Sequence, residues 1–299
     1  ALHRSVFAQD PLEPMVTSDI AEILHRQTEK PICHAEAASL PRIWESHQPG
    51  ICVLDASCQE ELCSIAAFVA GEGHCLVMGG SAGFAAGLSD SLPLRCCAQA
   101  DCTCPRAHLF LVGSVNQVSL DQIDRAARQG YPLVRLTFEQ QLSRDYYQRG
   151  ESAGLLDAIM AALLQKRQCI VSTLDNRSQL QDAAQYARRI ALDPAEVSTR
   201  IAANMGVLVQ QLLHRPVSMA LIVFGGDTLL GIMQAIRCRY IIPIRELRPG
   251  IVLSRAVCED GSLTLVTKAG GFGEVDTIPY INKCLDECTS AATGGFNYV

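Results

Sequence analysis

Two glycine-rich loops constrain the fold of this chain more than any other feature. An apolar run at residues 219–224 precedes loop A (residues 225–228), and a second run at 263–266 precedes loop B (residues 267–273). Apolar runs of this length are typical of strands buried on both faces, and a helical pattern follows each loop. The two junctions predict parallel strands whose carboxyl ends border one ligand crevice.

Both loops have the chemistry of a phosphate site. Glycine lets a backbone approach a ligand closely, and a helix N-terminus offers unpaired N–H groups to an anion. In loop A, Asp227 or Thr228 can cap the helix at 229–236. In loop B, Lys268 adds a positive charge, although neither loop has the Walker A spacing. The alternative for loop B is a glycine-rich turn with a solvated lysine.

Chain length and composition predict two domains of the α/β class. The 299 residues are 48% apolar and 19% charged, which is enough apolar material for sizeable cores. Short apolar runs alternate with helical patterns, so each domain is expected to be a mostly parallel sheet flanked by helices. We place a smaller domain at residues 1–100, with strands at 32–34, 51–54 and 75–78, and a fuller one at 101–299.

Charge and hydropathy exclude several classes of partner. The formal charge is −6 and the basic residues form no run, so neither nucleic acid nor an anionic membrane is an expected partner. No apolar stretch approaches the ~18 residues that cross a bilayer, and the N-terminus lacks a signal-peptide pattern. We expect a cytoplasmic protein.

Fourteen cysteines raise the question of a metal or disulfide site. Most lie singly inside apolar runs, where free cysteine behaves as a small buried hydrophobe. The exception is a group between the domains, formed by Cys96, Cys97, Cys102 and Cys104. Its spacing is a poor match to structural zinc sites. We therefore predict reduced thiols and no metal.

Three further segments carry open interpretations. Residues 79–87 contain Gly80, Ser81 and Gly83, which favour either tight helix packing or an interdomain anion or substrate site. Ser114 follows the strand at 109–112 and can bond a base, a ribose or a phosphate, or can be a turn serine. Ser119 is expected to cap the helix at 120–128, and residues 246–250 are expected to turn away from the sheet.

An ordered set of motifs resembles the four-carbon acid sugar kinase family. In the larger domain these are Val112-Gly113-Ser114 with Ser119 and Gln122-Ile123, Gly225-Gly226-Asp227-Thr228, Pro249-Gly250, and Lys268-x-Gly270-x-Phe272-Gly273. In the smaller domain, Asp10-Pro11-x-x-Pro14, Val53-Leu54-Asp55-Ala56 and Gly80-Ser81-Ala82-Gly83 resemble the later part of the family's substrate domain.

The resemblance implies an ATP-dependent kinase that phosphorylates the terminal hydroxyl of a sugar acid such as threonate, erythronate or 3-oxo-tetronate. Lys268 would lie near the phosphates of ATP, with Mg²⁺ neutralising their charge. The residues that would contact ATP are Ser114, Gly225, Gly226, Asp227, Thr228, Gly270, Gly271 and Gly273.

Two departures from the family pattern leave other functions open. Ala269 and Gly271 stand where relatives usually have serine and asparagine, so we expect weaker ATP binding. The long N-terminal region of relatives, with its Asp-Asp-x-Thr-Gly motif, has no match here, and we expect a fragment. The alternatives are a non-catalytic nucleotide-binding or regulatory protein, and an α/β enzyme that binds a phosphorylated substrate instead of ATP.

Several properties stay undetermined at this level. Asp55, Asp227 and Glu246 all follow or lie near predicted strand ends, and each has a structural role available, so we assign no catalytic base. The particular sugar acid and its stereochemistry are also open. So is the oligomeric state, with a homodimer as one option.

Overall fold

The protein is described by a computed structural model, which covers residues 16–46, 49–72, 77–94, 104–113, 115–174, 176 and 179–293. The chain divides into two compact units, Ala1–Ala98 (unit 1) and Gln99–Val299 (unit 2). Each unit combines helices with parallel strands, which confirms the α/β class.

Unit 1 is built on a small parallel sheet. Its two strands are β1 (Ile32–Glu36) and β2 (Ile51–Asp55). Its helices are α1 (Ile20–His25), α2 (Leu40–Glu45), α3 (Gln59–Gly71) and α4 (Ala82–Ser91). The strand expected at 75–78 is not confirmed, because Val77 and Met78 lie outside any strand and the two residues before them lie outside the described residues.

Unit 2 contains a seven-stranded mixed sheet. Its strands are β3 (Ala107–Val112), β4 (Leu133–Arg135), β5 (Gln168–Ser172), β6 (Met219–Phe224), β7 (Cys238–Arg248), β8 (Ile251–Cys258) and β9 (Gly261–Lys268). Their order across the sheet is β4-β5-β3-β6-β9-β8-β7. The first five strands in this order are parallel, and β8 runs antiparallel to both of its neighbours.

Helices cover both faces of this sheet. They are α5 (Gln117–Arg128), α6 (Phe138–Leu142), α7 (Ser152–Lys166), α8 (Gln179–Arg189), α9 (Val197–Leu213), α10 (Gly226–Ala235) and α11 (Thr277–Thr293). Helices α7, α9 and α10 share one apolar core, whereas α5 and α11 share the other. Alternate residues of β6 enter the two cores, as the pleat of a strand requires.

The hairpin formed by β7 and β8 corrects one expectation. Residues 246–248 do not turn away from the sheet, because β7 continues to Arg248 and pairs with β8. The reversal comes only at the turn that ends in Gly250, whose φ of 74° is readily adopted by glycine. Strand β8 was not predicted at all.

Two helix caps also differ from expectation. Helix α10 begins at Gly226 with Gly225 as its N-cap, so Asp227 and Thr228 lie in its first turn and cap nothing. Helix α5 is capped by Asn116, whose side chain accepts a hydrogen bond from the Val118 N–H. Ser119 is therefore free for another role.

Among the helices in the described part of the chain, none combines the length and apolar character that crossing a membrane requires.

Candidate functional site

The carboxyl ends of three parallel strands of unit 2 lie side by side. Val112 of β3 is in register with Phe224 of β6, and Phe224 is in register with Lys268 of β9. The chain continues the ladder for one more step, because the Gly225 N–H donates to the Lys268 carbonyl at 3.2 Å. Loops A and B therefore begin as neighbours at one edge of the sheet, as the sequence predicted.

The helices that follow these strands leave the sheet on opposite faces. Helix α10, after β6, packs in one core, whereas α5, after β3, and α11, after β9, pack in the other. A crevice at the carboxyl ends of parallel strands results where neighbouring connections diverge in this way. Loops A and B border this crevice.

Loop A is shaped by its own backbone. Gly225 has φ 108° and ψ 136°, a conformation that is essentially restricted to glycine. Helix α10 starts at once, so the N–H groups of Gly226, Asp227 and Thr228 are first-turn donors without an intrahelical acceptor. Gly226 and Asp227 are exposed, and a Cβ atom at Gly226 would meet nothing within 4 Å.

Thr228 closes the inner side of loop A against β3. The residue is 4% exposed, and a Cβ atom at Gly113 would lie only 2.0 Å from its Oγ1 atom. Glycine at position 113 therefore permits α10 to approach the end of β3 closely. Position 114 itself lies outside the described residues, so the role of Ser114 stays a prediction.

In loop B, carbonyl groups point to helix α5. The Ser119 hydroxyl donates to the Gly270 carbonyl at 2.9 Å. The Gln122 amide donates to the carbonyls of Phe272 at 3.1 Å and Glu274 at 2.9 Å. Ser119 and Gln122 are fully buried, so these bonds are shielded from water.

The N–H groups of loop B are left mostly unused. Ala269 donates to the Gly250 carbonyl and Phe272 to the Ala269 carbonyl. The N–H groups of Gly270, Gly271, Gly273 and Glu274 bond no acceptor among the described residues. Consecutive unpaired N–H groups of this kind bind anions. Loop B thus has its carbonyls bound to protein and its donors available to a ligand.

Lys268 lies beneath loop B. It is 2% exposed, and its Nζ atom donates to Ser119 Oγ at 3.0 Å and to the Gly270 carbonyl at 2.9 Å. Nζ also lies 4.6 Å from the centre of the Phe224 ring. Burial lowers the pKa of this amine to about 8. The solvated lysine that the sequence left open is therefore excluded.

The end of loop B requires glycine at position 273. Gly273 has φ 81°, and a Cβ atom there would lie 2.4 Å from Thr277 Oγ1. Gly271 is different, since the nearest atom to a Cβ there is Asn116 Nδ2 at 3.5 Å, an ordinary contact.

The hairpin of β7 and β8 braces loop B from its other side. The Arg248 guanidinium bonds Asp276 Oδ1 at 3.0 Å and lies 3.7 Å from the centre of the Tyr280 ring. Neighbouring Asp276 holds the pKa of Arg248 above its ordinary value. The Phe272 ring packs on Gly250, where a Cβ atom would be 2.5 Å from it.

The glycine segment of unit 1 has a structural explanation. The Ser81 side chain accepts from the Phe84 N–H and caps α4. A Cβ atom at Gly83 would lie 2.9 Å from Leu62 Cδ1, and one at Gly87 3.2 Å from Cys63 Cα. These contacts favour tight packing of α4 on α3. A ligand role for Gly80, Ser81 and Gly83 stays a prediction.

The three carboxylates considered as catalytic bases have different surroundings. Asp55 Oδ2 accepts a hydrogen bond from Nε2 of the His34 ring at 2.8 Å. Glu246 accepts from the Gly250 N–H at 3.1 Å, a structural bond within the hairpin turn. Asp227 is exposed on the first turn of α10. Of the three, Asp227 is the carboxylate next to the unpaired amides of loop A.

Sequence reasoning included Ser119 and Gln122 among the motifs of the larger domain but assigned neither a role in the site. Both lie on α5, three residues apart, and each is followed by a buried apolar residue, Leu120 after Ser119 and Ile123 after Gln122. Polar residues at fully buried positions of a helix need partners. That signal was present, but their partners lie about 150 residues away in the chain, at separations of 151 and 150 residues.

The described residues contain no group of three or more His, Cys, Asp or Glu side chains arranged to hold a metal ion. Of the cysteines between the units, Cys104 is buried with 5% of its surface exposed. Cys96, Cys97 and Cys102 lie outside the described residues.

Two family models match the chain. Residues 109–278 match a nucleotide-binding C-terminal domain, and residues 1–88 match a sugar-binding N-terminal domain. The first match contains β3, loop A and loop B, so it covers the whole crevice described above.

Individual proteins give the same picture. The chain is 26% identical to D-threonate kinase of Salmonella typhimurium over 91% of its own length and 65% of that protein. It thus spans slightly less than two thirds of this curated relative. Two crystal structures share the fold, one from Haemophilus influenzae (TM-score 0.63, 20% identity, 94% of this chain and 67% of that one) and one from Salmonella typhimurium (0.68, 18%, 94% and 66%).

The nucleotide-binding model alone spans more than half of the 299 residues. Together with the sugar-binding model and the kinase relative, it accounts for nearly all of the chain. The chain belongs to the four-carbon acid sugar kinase family.

Proposed function

We propose that this chain is an ATP-dependent kinase, or the nucleotide-binding part of one, that phosphorylates the terminal hydroxyl of a four-carbon sugar acid. Threonate, erythronate and 3-oxo-tetronate are the proposed substrate class. The observation that carries the proposal is the pair of adjacent loops whose unpaired N–H groups border one crevice. Residues 101–299 would then form the nucleotide-binding domain, and residues 1–100 the C-terminal portion of a sugar-acid-binding domain.

Phosphoryl transfer needs positioning and charge neutralisation more than covalent chemistry from the protein. The first-turn amides of Gly226, Asp227 and Thr228 and the amides of Gly270, Gly271 and Gly273 are the donors that we assign to the phosphates of ATP. The positive end of the α10 dipole adds to their effect. The buried charge of Lys268 raises the potential below loop B.

Mg²⁺ fits the residues that border the crevice. This ion keeps several waters and usually binds through one or two carboxylates together with substrate phosphates. Asp227, exposed beside the loop A amides, is the carboxylate that would hold it. When bound, the ion would neutralise charge on the phosphate oxygens.

Two measurements test the proposal in sequence. Titration calorimetry with ATP·Mg²⁺ should show binding to this chain, and Gly273→Ala should weaken it while Gly271→Ala does not. Coupled ADP-release assays on the product of the whole reading frame, over a panel of four-carbon acids, should then show turnover with at least one acid. Absence of ATP binding, or of turnover with every acid, would contradict the proposal.

A second candidate is a nucleotide-binding protein without catalysis. It is favoured by Ala269 and Gly271, which remove from loop B the hydroxyl and the amide that relatives usually carry. The space beside Gly271 is open, with Asn116 Nδ2 as the nearest atom to a Cβ at 3.5 Å. ATP binding without ADP release on any acid would select this candidate.

A thermal-shift experiment separates these two candidates from an enzyme that binds a phosphorylated substrate instead of ATP. ATP·Mg²⁺ and sugar phosphates are compared as ligands, because only the preferred ligand should raise the melting temperature.

A further inference from the structure

Lys268 is a buried cation without a carboxylate partner among the described residues. Its ammonium has three N–H donors. Two are used by Ser119 Oγ and the Gly270 carbonyl, and Nζ lies 4.6 Å from the centre of the Phe224 ring. Two of the three donors of Lys268 are thus bonded to protein groups before any ligand arrives.

Ser119 completes a closed group of three. Its hydroxyl accepts from Lys268 Nζ and donates to the same Gly270 carbonyl that Lys268 bonds. We call Lys268, Ser119 and the Gly270 carbonyl the loop anchor. Removing either side chain breaks the bond between the two and leaves the Gly270 carbonyl a single donor, so their contributions should be coupled.

The anchor has a direct consequence for the unpaired amides. With the Gly270 carbonyl held towards the protein interior, the peptide unit between Gly270 and Gly271 is fixed, and the Gly271 N–H is directed away from that carbonyl. Gln122 does the same for the carbonyl of Phe272, which shares its peptide unit with the Gly273 N–H. The side chains of α5 therefore set the direction of the donors of loop B.

We propose that Lys268 and Ser119 are positioning residues, which act together through the Gly270 carbonyl to orient the amides of loop B towards phosphate, and that Lys268 does not itself touch the nucleotide. This inference rests on the proposed nucleotide function. It replaces the direct lysine–phosphate contact that the sequence implied with a contact inside the protein.

A double-mutant cycle separates the two roles. Lys268→Met and Ser119→Ala should each weaken ATP·Mg²⁺ binding about tenfold in calorimetry, a loss typical of one network contact. The double variant should lose clearly more than the product of the two single losses, because each single variant leaves the Gly270 carbonyl one donor and the double variant leaves it none. Losses that multiply to about a hundredfold would overturn the proposal, since a direct phosphate ligand acts independently of Ser119.

Nucleotides of different length give a second readout. The anchor sets the loop and not one phosphate, so Lys268→Met should weaken ATP and ADP by the same factor. A loss confined to ATP would indicate direct contact with the terminal phosphate and would overturn the proposal. Lys283→Met is the matched control, because Lys283 is 76% exposed and pairs only with Glu287 at 3.8 Å among the described residues.

Matched variants at position 119 guard against misfolding. Ser119→Thr keeps the hydroxyl and should bind ATP·Mg²⁺ with near wild-type affinity. Ser119→Val has the shape of threonine without the hydroxyl and should bind ATP·Mg²⁺ more weakly. Equal affinity of the two variants would overturn the proposal. If the wild type binds no nucleotide, the proposed function fails, and the anchor is then tested by hydrogen exchange. The Phe272 amide, which donates to the Ala269 carbonyl within loop B, should exchange faster in Lys268→Met, and unchanged exchange would overturn the proposal.

Discussion

Loops A and B follow neighbouring strands but are held in different ways. Loop A is fixed by the backbone of Gly225 and by the immediate start of α10. Loop B has no helix directly behind its glycines. Its carbonyls are held by Ser119 and Gln122 from helix α5 and by Lys268 from the start of the loop itself. Backbone N–H groups can therefore be kept available for a ligand in two ways. They can lie in the first turn of a helix, or side chains can bond the carbonyls of the loop and so fix the direction of its N–H groups.

Among these loop positions, we expect substitution to cost the most stability at Gly273, where a positive φ and a close contact with Thr277 coincide. We expect Gly273→Ala to lower the free energy of unfolding by about 3 kcal/mol, because a positive φ and a close contact with Thr277 add. Chemical denaturation measures the loss. Gly271→Ala in the same loop is the control and should stay within about 0.5 kcal/mol. Similar losses for both variants would contradict the geometry assigned to loop B.

The dependence of loop B on α5 is tested at Gln122. Gln122→Met should lower the free energy of unfolding by about 2 kcal/mol, because the carbonyls of Phe272 and Glu274 lose the buried side chain that donates to them. Gln117→Met on the same helix is the control, since Gln117 is exposed and its side chain donates to Asp121. Amide exchange should quicken in loop B and stay unchanged in loop A. An equal increase of the amide exchange rates in both loops would mean that the same contacts hold both loops.

Loop A should instead respond to its own backbone. Gly225→Ala should lower the free energy of unfolding by about 1.5 kcal/mol, because alanine is strained at φ 108°. Gly226→Ala should change it by less than about 0.5 kcal/mol, since a Cβ there meets nothing within 4 Å. The reverse order of the two losses would show that α10 does not begin where the structure places it.

The pH dependence of the free energy of unfolding tests the charge of the buried Lys268 amine. Lysine has an ordinary pKa of 10.5, and burial lowers that of Lys268 to about 8. Between these values the unfolded chain binds more protons than the folded one, so the free energy of unfolding rises with pH. Relative to Lys268→Met, the wild type should gain about 1 kcal/mol between pH 8 and 9. A difference that stays constant over this range would mean that the amine keeps an ordinary pKa.

The sequence predicted strands best where both faces are buried. Strand β6 has the predicted bounds, because its six residues are all buried and apolar. Strand β8 was missed, because Ser254 and Arg255 interrupt its apolar pattern. Most of strand β7 is exposed at the edge of the sheet. Edge strands carry a weaker apolar signal, so pattern reasoning fails there.

The site was predictable only in its local part. Glycines after apolar runs identified both loops, because a turn that approaches a ligand leaves a signal in consecutive residues. The bonds of Ser119 and Gln122 join residues far apart in the chain, so the local sequence shows that these side chains need partners but not which partners they have. The inward direction of the Lys268 side chain could not be predicted for the same reason. A lysine at the end of a strand is compatible with a solvated position unless its partner on α5 is known.

The central claim is that the amides of loops A and B bind the phosphates of one nucleotide. The most direct test is NMR of protein labelled with ¹⁵N-glycine and titrated with ATP·Mg²⁺. Signals of Gly226, Gly270, Gly271 and Gly273 should shift together with one dissociation constant. Gly130, in a turn, and Gly261, at the start of β9, lie outside these two loops, and their signals should not move. If only one loop responds, or neither does, the amides do not form a common nucleotide site.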